Sequence, residues 1–211
     1  PAMPLFAKSF GVSNSAVGLI VSMFAVARFA TGMFSGKFVD RFGERMVFAV
    51  GIFAVSLSTL LAALAHSYLQ LLIFRTAGGL GSSMFSVSAS SIIMRSVSDD
   101  QRGRAQSVYN GSFLIGGIAG PAIGGMLTSI SLRAPFFTYS ITLFLAGIIG
   151  FFCLGRGKPT SKHENSDQEN TTLLQALRMQ PYRTAPILAF VTNWVIFGLR
   201  SSILPLFVTE V

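Results

Sequence analysis

The sequence predicts an all-α protein that crosses a membrane several times. Three features of its 211 residues indicate this class: 51% of them are hydrophobic, only 11% are charged, and the mean hydropathy is +0.62. A soluble domain carries about 25% charged residues, so this chain has too little charge to cover a water-facing surface. The alternating pattern of a membrane β-barrel is absent, which leaves helices as the spanning elements that satisfy their own backbone polar groups.

Long runs without Asp, Glu, Lys or Arg locate the spanning helices. A helix needs about 20 apolar residues to cross about 30 Å of hydrocarbon. The runs predict spans at 14–37, 46–65, 69–94, 104–128 and 134–155, and a further span that starts near 184. The sequence "AHSY" at 65–68 predicts a short turn between two antiparallel spans.

The basic residues lie almost entirely on one side of the predicted membrane. Eleven of the 16 Lys and Arg fall in the loops near 36–45, 95–104 and 156–183, whereas the opposite loops hold only Lys8 and Arg133. This asymmetry follows the positive-inside rule, so we expect these loops to be cytoplasmic in a plasma-membrane protein. Topology then explains the net charge of +8, and no nucleic-acid partner is expected.

A weak internal repeat suggests how the chain is organised. "MPLFAK" at 3–8 and "LPLFVT" at 204–209 share Pro-Leu-Phe, with Pro4 and Pro205 in matching positions. A repeat of this length that contains six spans is typical of membrane proteins built from two similar halves. We therefore expect a six-helix bundle with a truncated first span at 1–155, a polar cytoplasmic linker at 156–183 that includes an amphipathic segment, and a truncated first span of the second half at 184–211.

The segment "GKFVDRFGER" at 36–45 holds five charged residues in ten positions. It lies between the first two predicted spans, where Gly36 is expected to let one helix approach its neighbour closely. Gly43 suits a tight turn into the next helix. Asp40 is expected to cap a helix N-terminus and to pair with Arg41 or another basic residue.

This segment resembles the loop G-x-L-x-D-R-x-G-R-R between spans two and three of the major facilitator superfamily. Phe38 and Glu44 depart from that pattern. In the family, the loop connects the two halves on the cytoplasmic side while the transporter faces outward, and it releases as the transporter opens inward. The resemblance therefore implies a conformational latch loop made of the matching residues Gly36, Asp40, Arg41, Gly43 and Arg45.

A second segment, "RTAGGLGSS" at 75–83, is similar to the span-four motif R-x-x-x-G-x-G of the same family. Arg75, Gly79 and Gly81 match it. The resemblance implies a role for Arg75 in proton transfer. The alternative is that Arg75, about six residues inside its span, reaches the membrane surface with its long side chain. A nucleotide-binding loop is not indicated, because no Gly-Lys-Ser/Thr follows the glycines.

The third segment, "GGIAGPAIGG" at 116–125, repeats glycine every four residues and so predicts a smooth helix face for close packing. Pro121 removes a backbone hydrogen bond and is expected to bend the helix. The segment resembles the span-five signature G-x-x-x-G-P-x-x-G-G of drug and metabolite antiporters in the superfamily. That resemblance implies export in exchange for protons, with the matching residues Gly116, Gly120, Pro121, Gly124 and Gly125.

Two more arginines, Arg28 and Arg200, lie within predicted spans. Each is expected either to line a cavity or to pair across helices, because a charge in the membrane marks a functional or paired site. The core of every complete span lacks Asp and Glu, so the residue that binds the coupling proton is expected outside this sequence. Arginines without acids also suggest an anionic or neutral substrate, and Tyr109 and Phe113 are among the aromatic residues available to line its cavity.

The leading functional hypothesis is a secondary transporter that exports small amphipathic molecules against a proton gradient by alternating access. The sequence would then run from the end of span one to the end of span seven of a twelve-span protein, monomeric in the lipid bilayer. The alternative is an uptake permease or facilitator for a sugar, an amino acid or an organic anion. An enzyme is not indicated, since no His, Asp or Glu cluster lies at a membrane face. The single Cys153 suggests no disulfide, metal or cofactor site.

Overall fold

A computed structural model describes residues 2–154, which form one compact unit of α-helices. No strand occurs in this part of the chain, which confirms the predicted all-α class. The predicted linker, the seventh span and Arg200 lie outside the described residues. The helices are α1 Ala2–Lys8, α2 Asn14–Phe42, α3 Glu44–Ala63, α4 Tyr68–Ser96, α5 Arg102–Ile130 and α6 Ala134–Cys153, with a 3-10 turn at Asp99–Gln101 before α5.

The five complete predicted spans correspond to α2 through α6. The largest difference is at the end of α2, which continues to Phe42 rather than stopping at residue 37. Most of the segment 36–45 is therefore helical and not a loop. The helix ends only at Gly43, which joins α2 directly to α3 with φ 82° and ψ 152°. Glycine adopts this positive φ without the steric cost that a Cβ atom would impose.

Four of the described helical segments are long and apolar enough to cross a membrane: Asn14–Phe42, Glu44–Ala63, Asp99–Ile130 and Ala134–Cys153. Helix α4 is as long as α2, but it carries seven serines, three glycines and Arg75 and is correspondingly less apolar. Several of these small residues are buried against neighbouring helices, including Gly79, Ser83 and Ser88. The small and hydroxyl-bearing residues of α4 thus lie where other helices cover it. The chain as a whole is a multi-pass membrane protein.

Helix α4 packs against both α2 and α3, and α3 also packs against α6. The hydroxyl groups of Ser56 on α3 and Ser140 on α6 each donate to the other residue's backbone oxygen, at 2.9 and 2.8 Å. We call the end of the bundle that carries residues 36–45 and 95–104 the basic end. The main apolar cluster lies at the opposite end, where α1 meets the other helices; its larger buried members are Phe6, Ile20, Leu71 and Phe136.

Candidate functional site

At the basic end, two consecutive residues of α3 connect it to two different helices. The Glu44 carboxylate accepts from Arg95 Nε of α4 at 2.8 Å and from the Ser91 hydroxyl of the same helix. The Arg45 guanidinium donates from Nε to the backbone oxygen of Phe151 on α6 at 2.8 Å, and also from Nη2. Its Cζ atom lies 4.3 Å from the centre of the Phe151 ring. The start of α3 is therefore fixed against both α4 and α6.

The sequence analysis did not predict the contact of Glu44 with α4. It noted Glu44 only as a residue that departs from the family pattern. The available signal was Arg95 in the last turn of α4. If the turn at 65–68 makes α3 and α4 antiparallel, the start of α3 and the end of α4 lie at the same end of the bundle. An acid and a base at those two positions are then candidates for an ion pair.

Asp40 and Arg41 have few contacts within the described part of the chain. The Asp40 side chain is exposed, and no hydrogen bond or ion pair joins it to another described residue. The predicted cap was wrong, because Gly43 is itself the N-cap of α3 and no side chain caps that end. The predicted pairing of Asp40 with Arg41 was also wrong; the Arg41 guanidinium lies 5.6 Å from the ring of Phe42 instead.

The predicted close approach at Gly36 was wrong as well. Within residues 2–154, a Cβ atom added at Gly36 would meet nothing within 4 Å, whereas one added at Gly32 would lie 3.3 Å from Ser83 Oγ on α4. The Ser35 and Ser83 hydroxyl oxygens are also only 3.2 Å apart. The α2–α4 contact at Ser83 thus involves Gly32 and Ser35 and not Gly36.

The glycines of α4 form the tightest helix crossings in the described residues. A Cβ atom at Gly79 would lie 2.5 Å from the backbone oxygen of Phe24 on α2, and one at Gly81 would lie 2.7 Å from that of Gly51 on α3. A Cβ atom at Gly78 would lie 2.5 Å from the Ser58 hydroxyl oxygen of α3. A side chain at any of these positions would push α2 or α3 away.

Arg75 lies between α4 and α2, near the end of the bundle opposite the basic end. Its Cζ atom is 4.8 Å from the centre of the Phe24 ring, a distance typical of a cation–π contact. Its Nε atom is buried, without a hydrogen-bond partner in the described part of the protein. These contacts favour an interior position for Arg75 over the alternative in which it reaches the membrane surface.

Arg28 is the midpoint of α2, 14 residues from each end of the helix. Its side chain is exposed in the described part of the protein, and its Nη2 atom donates to Ser86 Oγ on α4 at 3.3 Å. It also lies within electrostatic range of Tyr109 on α5. The Tyr109 ring packs edge-on against Phe113 at 5.1 Å. The structure thus brings Arg28 together with groups on two other helices, a grouping that the sequence did not predict.

Helix α5 differs from the others because none of its residues is buried. A Cβ atom added to its repeated glycines would meet no other described residue within 4 Å. No helix within residues 2–154 covers this face, and the predicted close packing there stays a prediction. The helix is continuous through Pro121. The uncovered glycines are Gly116, Gly120, Gly124 and Gly125.

The comparison with known protein families agrees with these features. The family model of the Major Facilitator Superfamily matches residues 1–211. The chain belongs to this superfamily of membrane transporters. Among curated relatives, it is 29% identical over 154 residues to multidrug resistance protein 2 of Bacillus subtilis, covering 73% of this chain and 38% of that protein.

A second group of relatives is the quinolone resistance protein NorA of Staphylococcus aureus. The chain is 26% identical to it over 201 residues, which cover 95% of this chain and 51% of NorA. The chain thus spans about half, or less, of the length of the curated relatives it matches.

Proposed function

We propose that the whole protein is a secondary transporter that exports small amphipathic molecules in exchange for protons. The observation that carries this proposal is the uncovered glycine face of α5. A spanning helix with glycine at Gly116, Gly120 and Gly124 permits very close approach by another helix, yet no described helix uses it. A second half of the transporter is proposed to meet this face in one state and to leave it in the other, which is the movement that alternating access requires.

The exposed charges at the basic end support the same movement. Asp40 and Arg41 lie on the last turn of α2 without an ion-pair partner among residues 2–154. In the proposal they pair with the second half while the transporter faces outward, and they separate as it opens inward. The basic end is then cytoplasmic, as the charge asymmetry favours, and the protein works as a monomer in the plasma membrane.

The proposed export of drug-like molecules rests on the relatives, whose names describe multidrug and quinolone resistance. The four acids of residues 2–154 all lie at helix ends near the basic end: Asp40, Glu44, Asp99 and Asp100. A carboxylate or histidine that binds the coupling proton within the membrane is therefore proposed to lie elsewhere in the whole protein. Arg75, with its buried and unpartnered Nε, is the proposed participant in coupling from this half.

The test is dye efflux from energised vesicles that carry the whole protein, with and without a protonophore. We expect uphill efflux of a lipophilic fluorescent dye that the protonophore abolishes. Asp40→Ala and Gly120→Leu are expected to reduce efflux at least about tenfold at normal expression, because each removes one contact that a single transport state requires.

Two matched controls make this test specific. Gly111→Leu places the same side chain on α5 nine residues earlier, half a turn away from the face of Gly120, and a Cβ atom added at Gly111 would also meet no other described residue within 4 Å. Asp100→Ala removes an exposed acid at the same basic end. Both should transport normally. Dye movement that ignores the proton gradient, or equal losses in the controls, would contradict the proposal.

A further inference from the structure

The centre of α2 carries a positive charge without a counter-charge in the described part of the protein. Arg28 is about 21 Å from either end of the helix at a rise of 1.5 Å per residue, so it lies deep within the spanning segment. The nearest acid along the helix, Asp40, is 12 residues away and exposed at the basic end. A charged arginine at this depth faces a water-filled cavity or a partner.

The groups around Arg28 are suited to an anion. The guanidinium has five N–H donors, and a single hydrogen bond, from Nη2 to Ser86 Oγ, engages it among the described residues. The Tyr109 hydroxyl on α5 is buried and has no hydrogen-bond partner in residues 2–154. It supplies a further O–H donor within electrostatic range of Arg28. The Ser86 hydroxyl accepts from Arg28 and donates to the backbone oxygen of Ser82 at 2.8 Å, so it holds the guanidinium in place and leaves the other Arg28 donors and the Tyr109 O–H for a ligand.

The same region also offers apolar surface. Phe113, one turn after Tyr109 on α5, contacts its ring edge-on at 5.1 Å. On α2, Phe24 lies one turn before Arg28, and its ring lies under the Arg75 guanidinium at 4.8 Å. An anionic ligand with an aromatic or apolar body would therefore find both kinds of contact.

We propose that Arg28 and Tyr109 form a subsite for a carboxylate group of the transported molecule, with Ser86 positioning the Arg28 guanidinium. This inference rests on the proposed transport function and names its substrate class as amphipathic monoanions. A carboxylate accepts two parallel N–H bonds from one guanidinium. One carboxylate also neutralises one arginine, whereas a phosphate dianion would leave an unpaired negative charge in a poorly solvated site.

The test measures equilibrium binding to the purified whole protein in detergent, without a proton gradient. Three probes share one ring system and differ only in charge: 1-naphthoate, 1-naphthamide and 1-naphthylmethylammonium. We expect Arg28→Gln to raise the Kd for 1-naphthoate at least about tenfold, as expected when a charge-assisted bond is lost. The Kd for the neutral amide should change by less than about threefold, and Arg28→Lys should give an intermediate loss for 1-naphthoate.

Two further variants protect this test against misfolding. Tyr109→Phe removes only the hydroxyl oxygen and should weaken 1-naphthoate binding about threefold or more, while amide binding is preserved. Arg104→Gln removes an exposed positive charge at the start of α5 and should change no Kd. Size-exclusion profiles that match the wild type confirm that each variant is folded.

The outcomes separate this inference from the transport proposal. The subsite is overturned if the wild type does not bind 1-naphthoate, or if Arg28→Gln and Tyr109→Phe weaken the acid and the amide equally. Equal weakening would be expected if Arg28 pairs with an acid elsewhere in the whole protein. A third outcome is that Arg28 binds the acid selectively but transport does not depend on the proton gradient. This outcome would support the subsite and contradict only the proposed proton coupling.

Discussion

Helices α4 and α5 are both 29 residues long and both carry repeated glycines, yet their surroundings are opposite. At Gly79 and Gly81 of α4, a Cβ atom would lie within 2.7 Å of a backbone oxygen on a neighbouring helix. At Gly116 and Gly120 of α5, it would meet no other residue of the described segment within 4 Å. Small residues therefore set how closely a helix can be approached, but they do not determine which helix approaches it.

The difference also separates a permanent contact from a proposed transient one. The nearest atoms to a side chain at Gly79 or Gly81 are backbone atoms and alanine Cβ atoms of α2 and α3, so no flexible side chain can move aside to accept a larger residue. Close packing of this kind is costly to disturb. The glycine face of α5 makes no such close helix contact among residues 2–154. It is therefore available for the proposed contact that forms in one transport state and breaks in the other.

The largest expected effect is at the α3–α4 crossing. Gly81→Leu should lower the free energy of unfolding by about 3 kcal/mol or more, because α3 must move away from the added side chain. Thermal unfolding of the purified whole protein in detergent measures the loss. A midpoint equal to that of the wild type would show that the backbone contact between Gly81 and Gly51 can relax without cost.

A smaller effect is expected at the basic end, where Arg45 holds α3 against α6. Arg45→Gln should cost about 2 kcal/mol in the same unfolding assay, since it removes a charged donor from the backbone oxygen of Phe151. Arg45→Lys keeps the charge but not the two-pronged donor and should recover only part of this loss. Full recovery by lysine would show that charge alone matters there.

The smallest effect on unfolding is expected on α5. Gly120→Leu should change the free energy of unfolding by no more than about 0.5 kcal/mol, apart from small differences in helix propensity, although it blocks transport. The proposed contact forms in only one transport state, so the other state still folds with leucine present. A destabilisation as large as that of Gly81→Leu would mean that the whole protein packs α5 permanently, and the contrast with α4 would disappear.

The helices could be predicted from the sequence because charge-free runs of spanning length have few other solutions in a membrane. The contacts between helices were harder to predict. Gly36 and Gly32 lie one turn apart on α2, and only the relative depth of α2 and α4 decides which of them meets Ser83. That depth depends on the whole bundle and not on the local sequence.

The candidate site shows the same division. Arg28 and Arg75 could be identified because arginine is rare within spans, and Arg28 was correctly placed inside one. Its neighbours Ser86 and Tyr109 are 58 and 81 residues away along the chain. Their side chains reach Arg28 only through the rotation of α4 and α5 about their own axes, which a short motif does not encode.

The junction at Gly43 has a mechanical consequence. A single residue joins α2 to α3, so no flexible loop separates the two helices. Glu44 and Arg45 then attach the first turn of α3 to α4 and α6. Helix α2 therefore acts as a stiff rod whose middle holds Arg28 and whose tip holds Asp40 and Arg41. A ligand that displaces the centre of α2 would therefore tilt the helix about this anchored tip and reorient the charges of Asp40 and Arg41, without any intervening relay of side chains.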